Sequence, residues 1–172
     1  MRSFCDFLTL GVMKHIDTAR FCKENQFLSG TLAPSDLPRL AAEVLPRSDF
    51  AVVWQAQGES PDFLELSLVA KVQMKCQRCL GAMEESVDAH YRFEFVKDEE
   101  AAEAYDAESD ELDALVHSRQ FDLQELIEDE MLMALPLASL HESCPEAGAV
   151  AFLPVDAKPN PFEVLKNLKN MA

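Results

Sequence analysis

"FLELSLVAKVQMKCQRCLGAMEESVDAHYRFEF", residues 63–95, decides the fold. Leu64, Leu66, Leu68, Ala70, Val72 and Met74 alternate with Glu65, Ser67, Lys71, Gln73 and Lys75, the period-two pattern of a half-buried strand. After the cysteines, Val87, Ala89, Tyr91, Phe93 and Phe95 alternate in the same way with Ser86, Asp88, His90, Arg92 and Glu94. The stretch therefore predicts a long hairpin with Cys76 and Cys79 at its tip. Just upstream, Phe50, Val52, Trp54 and Ala56 share one face, and "GESPD" at 58–62 is turn-forming. Three such strands make an antiparallel meander with one wet face.

Helical spacing flanks this core. In "PSDLPRLAAEVLP" (34–46), Leu37, Leu40, Ala41 and Val44 fall on one face, with Ser35 or Asp36 as cap and Pro46 beyond the end. In "FDLQELIEDEMLMALP" (121–136), Asp122 and Glu125 form a capping pattern, and Leu123, Leu126, Ile127, Met131 and Ala134 form the buried stripe. Glu125, Glu128, Asp129 and Glu130 fall largely off that stripe and read as a solvated face. Without a Glu-x-x-His partner they do not make a di-iron pattern. In "KPNPFEVLKNLKNMA" (158–172), Asn160 and Pro161 open a last helix with Phe162, Leu165 and Leu168 on one face. The class is α+β: an antiparallel β-meander packed against a few helices. Residues 1–12 show no periodicity and read as a disordered extension; residues 13–172 read as a single domain.

Cys76 and Cys79 have three readings: a zinc clip, a redox couple, or packed thiols. A redox Cys-x-x-Cys opens a helix, whose N-terminus lowers the thiol pKa. Here a strand precedes the pair, and Gly81 and a second strand follow it. That context favours a metal knuckle over a redox couple. "HESC" supplies His141 and Cys144, again two residues apart, to complete a Cys3His set. Such a site has no open position and is structural. The alternative leaves Cys76 and Cys79 as packed thiols and His141 on a loop. Cys5 and Cys22 read as small core residues. Five cysteines, an odd number, fit a reducing compartment better than a disulfide framework.

The 172-residue chain carries a net charge of −16. "DEEAAEAYDAESDELD", residues 98–113, holds nine acids and no base, and reads as a solvated, mobile loop. Bare RNA is a poor partner for such a chain; a basic protein is a better one. Glu99, Glu100, Glu103, Asp106, Glu108, Asp110, Glu111 and Asp113 are the candidate contacts. No apolar run approaches the roughly 20 residues that span a bilayer, and the N-terminus lacks the layout of a secretory signal, which places the protein in the cytoplasm.

"CQRCL" after a long alternating strand, "FDLQELIEDEMLMALPL" and "KPNPFEVLKNLK" together resemble the YceD family over roughly residues 14–170. Members of that family are large ribosomal RNA subunit accumulation proteins of bacteria. The resemblance implies a cytoplasmic, non-catalytic factor in large-subunit biogenesis that supports 23S rRNA synthesis, processing or accumulation. The acidic surface suggests handling of a basic large-subunit ribosomal protein or a pre-ribosomal particle. Two other functions are open: a zinc-knuckle RNA binder, using Lys71, Lys75, Arg78 and Arg92 with Tyr91 and Phe93 for stacking, and a metal-dependent rRNA-processing nuclease. Against stacking, the two aromatics lie on the apolar face; against a nuclease, the ligand set is closed.

Overall fold

A computed structural model of the chain describes residues 15–46, 49–108 and 112–144. The extension at 1–12, Cys5 and the helix after Asn160 lie outside the described residues. The chain divides into two compact units, Met1–His141 and Glu142–Ala172.

A five-stranded sheet organises the first unit, in the order β2–β3–β4–β5–β6. Its centre is the predicted meander: β3 (Val52–Glu59), β4 (Phe63–Lys75) and β5 (Ala82–Val96), all antiparallel. Alternation does what period two requires. Leu64, Leu66, Leu68, Ala70 and Val72 are buried along β4, with Val87, Phe93 and Phe95 along β5. Two strands extend the meander. β2 (Phe27–Leu32) pairs antiparallel with β3, and β6 (Asp113–Val116) pairs parallel with β5, Phe93 standing opposite Asp113.

A parallel neighbour needs a crossover connection, and here the acidic run supplies it. The expectation of a loop over 98–113 is corrected: Glu99–Glu108 form helix α3. Alanine and glutamate are strong helix formers, and the Asp98 carboxylate accepts from Ala101 N at 2.9 Å, closing the first turn. Glu99 and Glu100 lie in that first turn, where the helix dipole favours negative charge.

Helices α1 (Thr18–Lys23), α2 (Pro38–Glu43) and α4 (Leu123–Ala134) bury their apolar side chains in the same core as the sheet. Leu123, Ile127 and Met131 of α4, Leu40 of α2 and Phe21 of α1 are fully or almost fully buried in it. Each such side chain contributes about 1.5–3 kcal/mol through burial. α1 lies so close to β3 that a side chain at Gly58 would collide with the Phe21 carbonyl. A two-stranded bridge of β1 (His15–Ile16) and β7 (Phe121–Asp122) joins the entry of α1 to the entry of α4. Cys22 is buried as expected, and burial pushes its thiol up to about 11. Among the described residues, no helix is long and apolar enough to cross a membrane.

Asp122 caps α4 as the sequence implies, accepting from Glu125 N at 3.0 Å. The cap expected for α2 is corrected. Leu37 is its N-cap and makes no side-chain cap bond, while Asp36 closes the preceding turn on Ala33 N at 2.9 Å. The α2 donors are met from α4: the Glu128 carboxylate accepts from Arg39 N at 2.7 Å and Leu40 N at 3.1 Å. Glu128 is therefore buried, 6% exposed, and not part of a solvated face.

Candidate metal centre

The clip begins where β4 ends. Cys76 N donates to Gly81 O and Leu80 N donates to Cys76 O, both at 2.9 Å, closing residues 76–81 into a tight knuckle. Leu80 takes a left-handed φ of 61° and leaves its side chain 64% exposed. For a non-glycine residue that backbone costs about 1–2 kcal/mol, and such strain persists where surrounding structure enforces it. Gly81 has no side chain to intrude: a Cβ there would lie 3.5 Å from Cys79 Sγ and 3.9 Å from His141 Cε1.

The segment after α4 is laced onto this knuckle by hydrogen bonds. Gln77 N donates to Ser139 O at 2.9 Å, and Gln77 Nε2 donates to Leu137 O at 3.1 Å. Buried Ser139 donates its hydroxyl to Met74 Sδ at 3.2 Å. This lacing carries His141 to the thiols. Its Nδ1 lies 3.3 Å from Cys79 Sγ, and its backbone N–H donates to Cys76 Sγ at 3.5 Å. On the far side of the ring, Nε2 lies 3.2 Å from Ala82 O. A carbonyl can only accept, so Nε2 carries the proton and Nδ1 keeps its lone pair, the tautomer a metal-ligating histidine needs.

One ligand atom from each of Cys76, Cys79, His141 and Cys144 lies within 4.8 Å of the other three. The expected cluster thus exists and joins the hairpin tip to the later loop. That spread is wider than the about 4 Å between donors around a tetrahedral ion with zinc–sulfur bonds of about 2.3 Å, so the ligands would draw together on binding one. Three thiols and one imidazole suit a soft, tetrahedral ion such as zinc. Backbone N–H groups of Cys79 and His141, pointing at Cys76 Sγ, pull that thiol down to about 5, toward the thiolate a metal takes. Cys76 is buried; Cys79, His141 and Cys144 are half-buried.

The remaining candidates separate. Glu99, Glu100, Glu103 and Asp113 are exposed, the first three on α3. Asp106 and Glu108 belong to the C-terminal half of α3, and Asp110 and Glu111 lie outside the described residues. The basic patch is only partly assembled. Lys71 pairs with Glu84 at 3.2 Å, and Arg92 pairs with Glu59 at 3.3 Å while stacking over Phe63. Neither aromatic of that patch offers a stacking platform: Phe93 is 1% exposed, and Tyr91 donates its hydroxyl to Glu130 O at 3.1 Å.

The family described as "Large ribosomal RNA subunit accumulation protein YceD" matches residues 64–169, from β4 through the clip and beyond α4. The chain belongs to this family. It is similar to the large ribosomal RNA subunit accumulation protein YceD of Haemophilus influenzae, with 29% identity over 157 residues that cover 81% of this chain and 86% of the relative. No solved structure matches it.

Sequence spacing foreshadowed the clip ligands but not Glu128. It sits in an acidic cluster that reads as surface, and its partners, the backbone of Arg39 and Leu40, lie 89 and 88 residues away. No sequence signal marked it: Ser35 or Asp36 reads as the α2 cap, and only the structure puts Leu37 there with no side-chain cap bond, which leaves donors to be met from elsewhere.

Proposed function

We propose that this YceD-family protein is a non-catalytic cytoplasmic factor in large-subunit biogenesis that supports 23S rRNA accumulation by handling a basic large-subunit ribosomal protein. The observation that carries the reading is the exposed acidic face of α3, with Glu99, Glu100 and Glu103, in a chain of net charge −16. A field of that sign attracts Lys- and Arg-rich segments and repels RNA phosphates. The non-catalytic part is supported by the ligand count: four protein donors fill a tetrahedral ion, leaving no position for a substrate or an activated water. Zinc in this role holds the loop after α4 against the hairpin.

The test is association of the purified protein with basic large-subunit ribosomal proteins and, separately, with 23S rRNA fragments. The protein partner should bind, with affinity that falls steeply as salt rises. Replacing Glu99, Glu100 and Glu103 together by Gln should slow association by about tenfold at low salt and leave the fold intact. Tight binding of the rRNA fragments at physiological salt, with no ribosomal protein present, overturns the reading in favour of an RNA binder working through Lys75 and Arg78 at the clip. Those two cations make no ion pair among the described residues.

A further inference from the structure

β2 is an edge of the five-stranded sheet. Gly58 N donates to Gln26 O at 2.8 Å, extending the register in which Phe27 faces Gln57. Antiparallel pairs alternate between bonded and non-bonded. The bonded pairs are thus Leu28 with Ala56, Gly30 with Trp54, and Leu32 with Val52. Phe27, Ser29 and Thr31 aim their N–H and C=O groups away from β3. Among the described residues, none of these outward groups has a partner.

Within the strand itself, two usual devices that blunt an edge, charge and proline, are missing. Residues 27–32, "FLSGTL", contain no charge and no proline. In a chain of net charge −16 this is a place where two copies can touch without opposing like charges.

We propose that β2 pairs antiparallel with β2 of a second copy about a two-fold axis at Ser29, joining the two sheets into one. The outward set is symmetric about Ser29, so Phe27 meets Thr31 of the second copy and Ser29 meets its own equivalent. Every outward donor then finds an outward acceptor.

The exposed apolar side chains of the open sheet face support this register over others. Phe27, Val53 and Val69 are 55%, 47% and 48% exposed. Within one copy, Thr31 faces Val53 and Val53 faces Val69. The two-fold pairing places the second copy's Phe27 beside Thr31, completing one cross-strand row of Phe, Thr, Val and Val. Aromatic and β-branched neighbours of this kind stabilise a sheet. On the covered face, the second copy's Leu28 arrives beside Gly30. There the Trp54 ring lies close enough that a Cβ at position 30 would stand 3.1 Å from it.

An interface made mainly of two edge strands is small, and interfaces below roughly 1,200 Å² belong to weak complexes. The experiment is sedimentation equilibrium of the full chain up to about 500 µM, a range suited to such an interface. The wild type should form a concentration-dependent dimer that tightens as salt screens the net charge. Ser29→Pro removes an outward N–H that makes no bond within the protomer. It should weaken the dimer at least tenfold or so, since two hydrogen bonds are lost per pair, while circular dichroism stays unchanged. Ser29→Glu and Ser29→Lys should each be monomeric alone and dimeric when mixed, because they face each other across the axis. This pair carries the test if Ser29→Pro does not fold. A wild type that stays monomeric throughout, a folded Ser29→Pro that still dimerises, or a Glu–Lys mixture no more associated than its parts overturns the proposal.

Discussion

The clip and the Glu128 junction perform the same task in opposite chemical styles. Each ties distant parts of the chain together: Cys79 and His141 are 62 residues apart, Arg39 and Glu128 are 89 apart. The clip gathers sulfur and imidazole at a strand tip, where an ion would supply the energy of closure. The junction uses one buried carboxylate that accepts from Arg39 N, Leu40 N and Arg39 Nε, the last at 2.9 Å. Beside it, Asp129 reaches the same guanidinium at 2.5 Å from a half-exposed position. Together Glu128 and then Asp129 hold the Arg39 proton more firmly than usual. With an ion in the cluster, clip strength would depend on what is bound; junction strength is built into the chain. The clip would then be the part that solution conditions can loosen.

The largest effect should come from the clip. Protein purified without chelator should contain one zinc per chain. Cys76→Ser should abolish it, and a strong chelator should lower the melting temperature of the wild type but not of the variant, because metal-binding energy is folding energy. An equal loss in both, or no zinc in the wild type, would reduce the cluster to packed thiols and leave the junction as the stronger tie.

Next is the junction itself. Glu128→Ala leaves two backbone donors of α2 and one guanidinium N–H without their acceptor. Hydrogen bonds to a charged group contribute about 1.5–3 kcal/mol, and a loss of about 2–3 kcal/mol in urea unfolding is expected. Asp129→Ala removes an exposed ion pair and should cost under about 1 kcal/mol. If the two variants lose equal stability, Glu128 acts as a surface charge and the comparison fails.

The smallest effect concerns Glu130, next in the acidic run. Burial, then Asp113 and Asp129, raise its pKa. A carboxyl raised in the folded state stabilises while protonated, and that contribution is lost as pH rises through its folded pKa. These surroundings disfavour its charged form, so Glu130→Gln should raise the melting temperature slightly at neutral pH. The gain should vanish toward about pH 4, where the wild type is also protonated. A constant gain across that range would assign the effect to packing instead.

How far these features were legible in the sequence follows from the range of the physics behind them. β3, β4, β5 and α4 were readable because burial on one face imposes a period of two or 3.6 on neighbouring residues. Cys76, Cys79, His141 and Cys144 were readable because metal ligation demands particular residue types, and short spacings place two of them on one turn. α3 was misread because its charge was weighed above its helix-forming Ala and Glu, although Asp98 and the first-turn acids signalled a start. β2 and β6 carry weak alternation and become strands by pairing with β3 and β5, a matter of tertiary contact.

Glu128 shows the boundary most sharply. Nothing local separates it from Glu125, Asp129 or Glu130. Only the packing of α4 against α2 decides that this one carboxylate leaves water, and it can do so because the uncapped N–H groups of α2 arrive at the same point. Local periodicity and ligand chemistry are properties of neighbouring residues, and the sequence by itself determined them. Which acid is buried, which strand becomes an edge and which donors meet which acceptors depend on residues distant in the chain coming together, and the tertiary structure alone decided those.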